Sequence, residues 1–81
     1  MKSLKVKYFS SLRDASKKDQ EVLSIDEPKK ASQIFDELNE RYHFHLDRSY
    51  VKVAINEAYR DWDTLLHGGE TLVFIPPVAG G

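Results

Sequence analysis

Apolar and polar residues alternate near both ends of the 81-residue chain and take a helical spacing in its middle. In "SLKVKYF" (residues 3–9), Leu4, Val6 and Tyr8 fall on one side and Lys5 and Lys7 on the other. That pattern predicts a strand with one buried face. "SSLRDASKKDQ" (residues 10–20) is polar, holds no Gly or Pro, and reads as a long loop. "EVLSI" (residues 21–25) predicts a second strand, paired with the first as a hairpin. "DEP" at residues 26–28 ends it. From Lys29 the period changes. Ala31, Ile34, Phe35, Leu38 and Tyr42 recur at helical spacing, apart from Asp36, Glu37, Glu40 and Arg41, so an amphipathic helix is expected over residues 29–42. Its start is weakly signalled, because Lys29 and Lys30 are poor caps at the positive end of the helix dipole.

"HFHLDRS" (residues 43–49) is a connector. "YVKVAIN" (residues 50–56) alternates again, with Val51, Val53 and Ile55 on one face. Asn56-Glu57 predicts a tight turn into a short strand, "AYR" (residues 58–60), and residues 61–70 form an irregular link with a turn at Gly68-Gly69. "TLVFI" (residues 71–75) is apolar almost throughout, as a central strand buried on both faces would be. Pro76 and Pro77 lack the N–H a ladder needs, so the sheet stops there. The order is strand, strand, helix, strand, short strand, strand. It predicts an α+β fold in which one helix crosses one face of a mixed sheet. That order fits a ubiquitin-like β-grasp over residues 1–75, with residues 76–81 as an extended C-terminal tail.

Composition narrows the function. The length makes one domain. A formal net charge of -1 argues against nucleic-acid binding by phosphate neutralisation. No apolar run approaches the roughly 18 residues of a membrane span, and no signal-peptide pattern opens the chain, so a cytoplasmic protein with no membrane partner is expected. The absence of cysteine removes disulfides, a thiol nucleophile and thiolate metal sites. His43, His45 and His67 supply too few ligands for a metal site and read as surface residues. Asp61 and Asp63 flank Trp62; they read as solvated loop charges rather than an acid–base pair, with Trp62 capping the edge of the core.

The last residues, "FIPPVAGG", carry the chemistry. Pro76 and Pro77 favour an extended exit from the last strand. The tail from Pro76 to Gly81 can reach at most about 20 Å. Val78 and Ala79 are small, and Gly80 and Gly81 have no Cβ, so backbone can thread a channel too narrow for side chains. Such a tail would deliver a carboxylate at Gly81 into another protein's active site. A carboxylate is a poor electrophile until ATP converts it to an acyl-adenylate. A sulfur nucleophile can then displace AMP and leave a thiocarboxylate. With no cysteine in the chain, the terminus is where sulfur would be carried. Terminal glycines alone are a weak signal, and an inert, frayed end is the competing account. A short insertion buries little area, so an apolar docking face is expected beside the tail. Phe9, Tyr59 and Ile75, near strand ends close to the exit, are its candidates, with simple core burial as the alternative.

"VKYFSSLRD", "VAINEAY" and above all "GGETLVFIPPVAGG" resemble the small subunits of molybdopterin synthase, the ubiquitin-like sulfur carriers of molybdenum-cofactor biosynthesis. The resemblance covers essentially the whole chain. Two departures stand out: His67-Gly68-Gly69-Glu70 replaces an acidic turn, and Lys29 replaces a Ser or Thr near the helix start. Neither touches the tail. The resemblance implies that an E1-like enzyme spends ATP to adenylate Gly81, and that a sulfur-donor enzyme then supplies the thiocarboxylate sulfur. It implies insertion of Gly80, Gly81 and the residues before them into a large synthase subunit, in a heterotetramer of two small and two large subunits. There two sulfur donations to cyclic pyranopterin monophosphate build the dithiolene. It implies further that catalytic side chains belong to the large subunit, that no cofactor is permanently bound here, and that the chain is not an enzyme on its own. Arg13, in the family's loop position, would pair with an acidic partner residue; a solvated arginine is the alternative. Sulfur carriers for thiamin, tRNA thiolation or protein modification share this fold and ending. A plain interaction module with an inert tail remains the contrasting class.

Overall fold

The structure, a computed structural model, describes residues 2–77. The chain opens with β1 (Lys2–Tyr8), a short helix α1 (Ser10–Ser16) and β2 (Gln20–Ile25). A two-residue strand β3 (Lys29–Lys30) leads into the main helix α2 (Ala31–Tyr42). After a 3-10 turn at Arg48–Tyr50 come β4 (Lys52–Ile55), β5 (Ala58–Arg60), β6 (Leu65–Leu66) and β7 (Thr71–Ile75). Five strands form one mixed sheet in the order β2-β1-β7-β4-β5, and β3 pairs with β6 in a separate two-stranded ladder.

The alternating stretches become strands because one face of each can be buried. Leu4, Val6 and Tyr8 of β1, Val53 and Ile55 of β4, and Leu72 and Phe74 of β7 all face α2 and are closed to solvent. From α2, Ala31, Ile34, Phe35 and Leu38 fill the other side. Aromatic rings knit the two layers: Phe35 meets Phe74 edge-on at 5.1 Å, and Tyr8 meets Phe44 at 6.0 Å. Trp62 lies at the rim as expected, 5.2 Å from Phe35 and stacked on Phe74 at 5.9 Å. The expected hairpin of β1 and β2 is antiparallel, from Lys2↔Ile25 to Lys7↔Gln20. The Asn56-Glu57 turn has both residues in the left-handed region, at φ 51° and 70°, the geometry that matches the twist of a two-residue hairpin.

Several expectations need correction. The polar stretch after β1 is not all loop, because residues 10–16 are helical. Its one buried apolar residue, Leu12, gives no periodicity to read, and no side chain caps its start. A second helix therefore joins the single one expected. The main helix begins at Ala31 rather than Lys29, since Lys29 and Lys30 are taken by the ladder with Leu66 and Leu65. That same ladder gives structure to the link after β5. β7 is central, but only Leu72 and Phe74 are fully buried; Thr71, Val73 and Ile75 on its other face keep partial exposure.

Candidate functional site

The geometry around the exit of β7 follows from strand pairing. β7 runs parallel to β1, with Tyr8 opposite Phe74, and antiparallel to β4, with Lys52 opposite Ile75. The chain thus leaves the sheet from its middle strand, between the end of β1 and the start of β4. Pro76 is buried and Pro77 exposed. Pro76 anchors the exit, and neither proline donates the N–H that would extend the ladder. Val78, Ala79, Gly80 and Gly81 lie outside the described residues.

The side-chain period of two decides what surrounds the exit. Phe9 continues β1 in extended conformation, at φ -129° and ψ 155°. It therefore points away from the core that Tyr8 enters, and it lies one step beyond the Tyr8–Phe74 pair, level with Ile75. Tyr59 stands opposite Ala54, which stands opposite Val73. Phe9, Ile75 and Tyr59 consequently share the face of the sheet that α2 leaves bare. Phe9 is 49% exposed and Tyr59 69%, which removes core burial as their explanation. Ile75 keeps intermediate exposure. Val73 and Ala54 extend this apolar face between them, both partly exposed. Sequence reading overlooked this pair, although their parity with Ile75 and against Val53 was available.

Arg13 sits on α1, and its guanidinium is 3.9 Å from Asp19 of the same chain, with both side chains largely exposed. An exposed pair of that length is worth little. Behind the bare face, a hydrogen-bonded cluster locks β1, β2 and α2 together. The Tyr8 hydroxyl donates to the Glu21 carboxylate, and the Tyr42 hydroxyl donates to the same oxygen at 2.7 Å. Lys18 donates to Tyr42 at 2.9 Å and lies 3.5 Å from Glu21. Burial pushes the Tyr8 phenol well above its ordinary range, and the Glu21 carboxylate beside it adds to that. Burial alone would raise Glu21, but the two phenol hydrogen bonds and Lys18 outweigh it and hold the carboxyl below its usual value. This cluster is structural: its side-chain hydrogen bonds tie β1, β2 and α2 together on the covered side of the sheet.

His43 and His45 have rings 6.0 Å apart. Among the described residues, no group of three or more His, Cys, Asp or Glu side chains could hold a metal ion. No helix among them is long and apolar enough to cross a membrane. Asp61 and Asp63 are exposed at the rim, Asp63 lying 3.9 Å from Lys30.

The ThiS family matches residues 6–81, which takes in all but the first five residues. Solved structures agree in fold. The putative molybdopterin converting factor subunit 1 of Pyrococcus furiosus superposes with a TM-score of 0.81 at 28% identity, covering 96% of this chain and 100% of its own. The small archaeal modifier SAMP1 of Haloferax volcanii gives 0.80 at 19% identity, over 98% and 99% of the two chains. The complex of subunits 1 and 2 of the molybdopterin-converting factor from Helicobacter pylori gives 0.66 at 20%, over 98% and 99%.

Proposed function

The chain belongs to the ThiS family of ubiquitin-like sulfur carriers, and on that premise we propose that it is the sulfur-carrying small subunit of a molybdopterin synthase. The observation that carries the proposal is the family match running through residue 81, so that the Gly80-Gly81 ending falls inside it. The likeness to the Pyrococcus furiosus converting-factor subunit favours the molybdenum pathway among those that carriers of this fold serve.

In the proposed cycle, a carboxylate oxygen of Gly81 attacks the α-phosphorus of ATP on an E1-like enzyme, and pyrophosphate leaves. Hydrosulfide released by a donor enzyme then attacks the carbonyl carbon, AMP leaves with the C–O bond electrons, and the remaining S–H proton passes to solvent. The resulting thiocarboxylate is ionised at neutral pH and nucleophilic. The tail from Pro76 to Gly81 enters the large subunit, where the thiocarboxylate sulfur replaces an oxygen on the side chain of cyclic pyranopterin monophosphate, water cleaves the acyl–sulfur bond and restores the Gly81 carboxylate, and a second loaded chain repeats the transfer to complete the dithiolene. Phe9, Tyr59 and Ile75 seat the body against that subunit. The pairing of subunits 1 and 2 in the Helicobacter pylori complex supports a two-subunit assembly; two copies of each subunit are proposed. The chain supplies no catalytic side chain and is a tethered co-substrate, with ATP bound only by the activating enzyme.

Intact-mass spectrometry tests the reading. After incubation with the activating enzyme, ATP and the sulfur donor, the protein gains the mass difference of one sulfur replacing one oxygen. A chain that stays unchanged beside a carrier that the same enzymes do load overturns the proposal. Capping Gly81 as an amide abolishes the gain; a capped chain that still supports dithiolene formation overturns it too.

A further inference from the structure

Within its strands, the bare face of the sheet carries charge of one sign only. Lys5 and Lys7 alternate with Leu4, Val6 and Tyr8 along β1, and Lys52 precedes Val53 on β4, so all three lysines fall on the face away from α2. All three are exposed. Among the described residues none of them enters an ion pair, since the five pairs found involve other cations. The chain has 13 acidic residues, yet only Glu21 falls within the five paired strands. Glu21 stands opposite Val6 and so lies on the covered side. Although the chain's formal net charge is -1, the strands thus present only cations around the apolar patch, with Asp61 at its rim beside Lys52 and Tyr59.

Position gives this charge a meaning. Lys7 stands opposite Val73, and Lys52 opposite Ile75. The two lysines flank, from either side, the last outward residues before the tail. Surface lysines often guard the open edges of sheets against unwanted pairing. That account fails here, because β1 and β4 are interior strands and the edges are β2 and β5. A wholly apolar partner docking on Val73, Ile75, Phe9 and Tyr59 would strip water from these ammonium groups with nothing to replace it. Unpaired buried charge is costly.

Resting on the carrier reading above, we propose that the protein surface receiving the tail bears carboxylates around an apolar centre, placed to meet Lys5, Lys7 and Lys52. The apolar patch supplies lifetime, and the lysines supply the rate of encounter and the orientation that aims the tail. Opposite charges across an interface act mainly on association and its salt dependence.

Stopped-flow association of the full chain with the large synthase subunit, over a series of salt concentrations, tests this. Wild-type association slows as salt rises. Lys7→Glu/Lys52→Glu slows association at low salt by about tenfold or more and flattens or reverses the salt dependence. The neutral variant Lys5→Gln/Lys7→Gln/Lys52→Gln gives an intermediate loss, which controls for misfolding of the charge-reversed chain. Lys17→Glu/Lys29→Glu, with the same charge change away from the face, associates nearly as wild type. Wild-type binding that is indifferent to salt and to these lysines overturns this inference and leaves the carrier reading standing. An equal loss in the Lys17→Glu/Lys29→Glu control overturns it as well. Salt-sensitive binding of the lysines to an RNA, without any effect on the protein partner, also overturns it. Absence of wild-type binding together with absence of the mass gain overturns both.

Discussion

At the scale of single residues, Tyr8 and Phe9 show how one step along a strand separates core from surface. Both are aromatic, and both follow from the same alternation. Tyr8 is 1% exposed and bound to Glu21, while Phe9 is 49% exposed beside the exit. Glu21 gathers hydrogen bonds from β1 and α2 and the charge of Lys18, so it joins three segments at once. Its ionised form stabilises the fold above the ordinary value of 4.5, and that contribution disappears as pH falls through the lower folded value. Tyr8 acts at the other end: its neutral phenol contributes below its ordinary value of 10.0, and the contribution is lost only in strong alkali. Glu21→Gln is expected to cost about 1–2 kcal/mol near neutral pH. It should also make stability less steep as pH falls below the ordinary carboxyl value of 4.5. Asp47, an exposed carboxylate held low by the Ser49 backbone N–H, and Glu70, which burial would raise but the His67 and Gly68 N–H groups hold low, keep some of that slope. Urea melts at several pH values measure both effects, and an unchanged acid slope would show that the carboxylate contributes nothing.

At the scale of elements, α2 owes its start to distant backbone. Its N-cap is Lys30, whose side chain cannot accept a hydrogen bond. The Gln33 side chain accepts from the Lys30 N–H at 2.8 Å. The next free donors, Ala31 N–H and Ser32 N–H, reach the carbonyls of Thr64 and Trp62, each at 3.0 Å. The helix was legible in the sequence because its apolar period is strong; its first residue was not, because the capping carbonyls lie some thirty positions on. α1, β3 and β6 escaped for a related reason, since a two-residue strand or a helix with one buried apolar side chain has no period to detect. Leu66 fixes this arrangement, being fully buried and opposite Lys29. Leu66→Ala should cost about 3 kcal/mol. It should also speed hydrogen exchange at Ala31 and Ser32 more than at Leu38. Equal loss of protection along the whole of α2 would mean that the ladder does not hold its start.

At the scale of the whole molecule, the sheet order makes the site. β7 is flanked by β1 and β4, so the tail leaves from the centre of the sheet and the apolar residues of three further strands or strand ends gather round it. Among the described residues the core closes with Phe74 and Pro76. Deleting residues 80–81 should therefore leave the melting temperature within about 2 °C and remove the mass gain on loading. A large drop in melting temperature would show that the tail belongs to the fold, and loading of the shortened chain would remove Gly81 from the proposal. Local periods of two and 3.6 residues and the Pro76-Pro77 stop were enough to predict five of the strands, the main helix and most of the faces they bury, while the final glycines pointed to the site proposed at Gly81. Which strands lie side by side is a different kind of fact. The pairing of Tyr8 with Phe74 joins opposite ends of the chain, and burial of the common core, rather than any local preference, selects it. Only that selection brings Phe9, Tyr59 and Ile75 onto one face and sets Lys7 and Lys52 on either side of the exit.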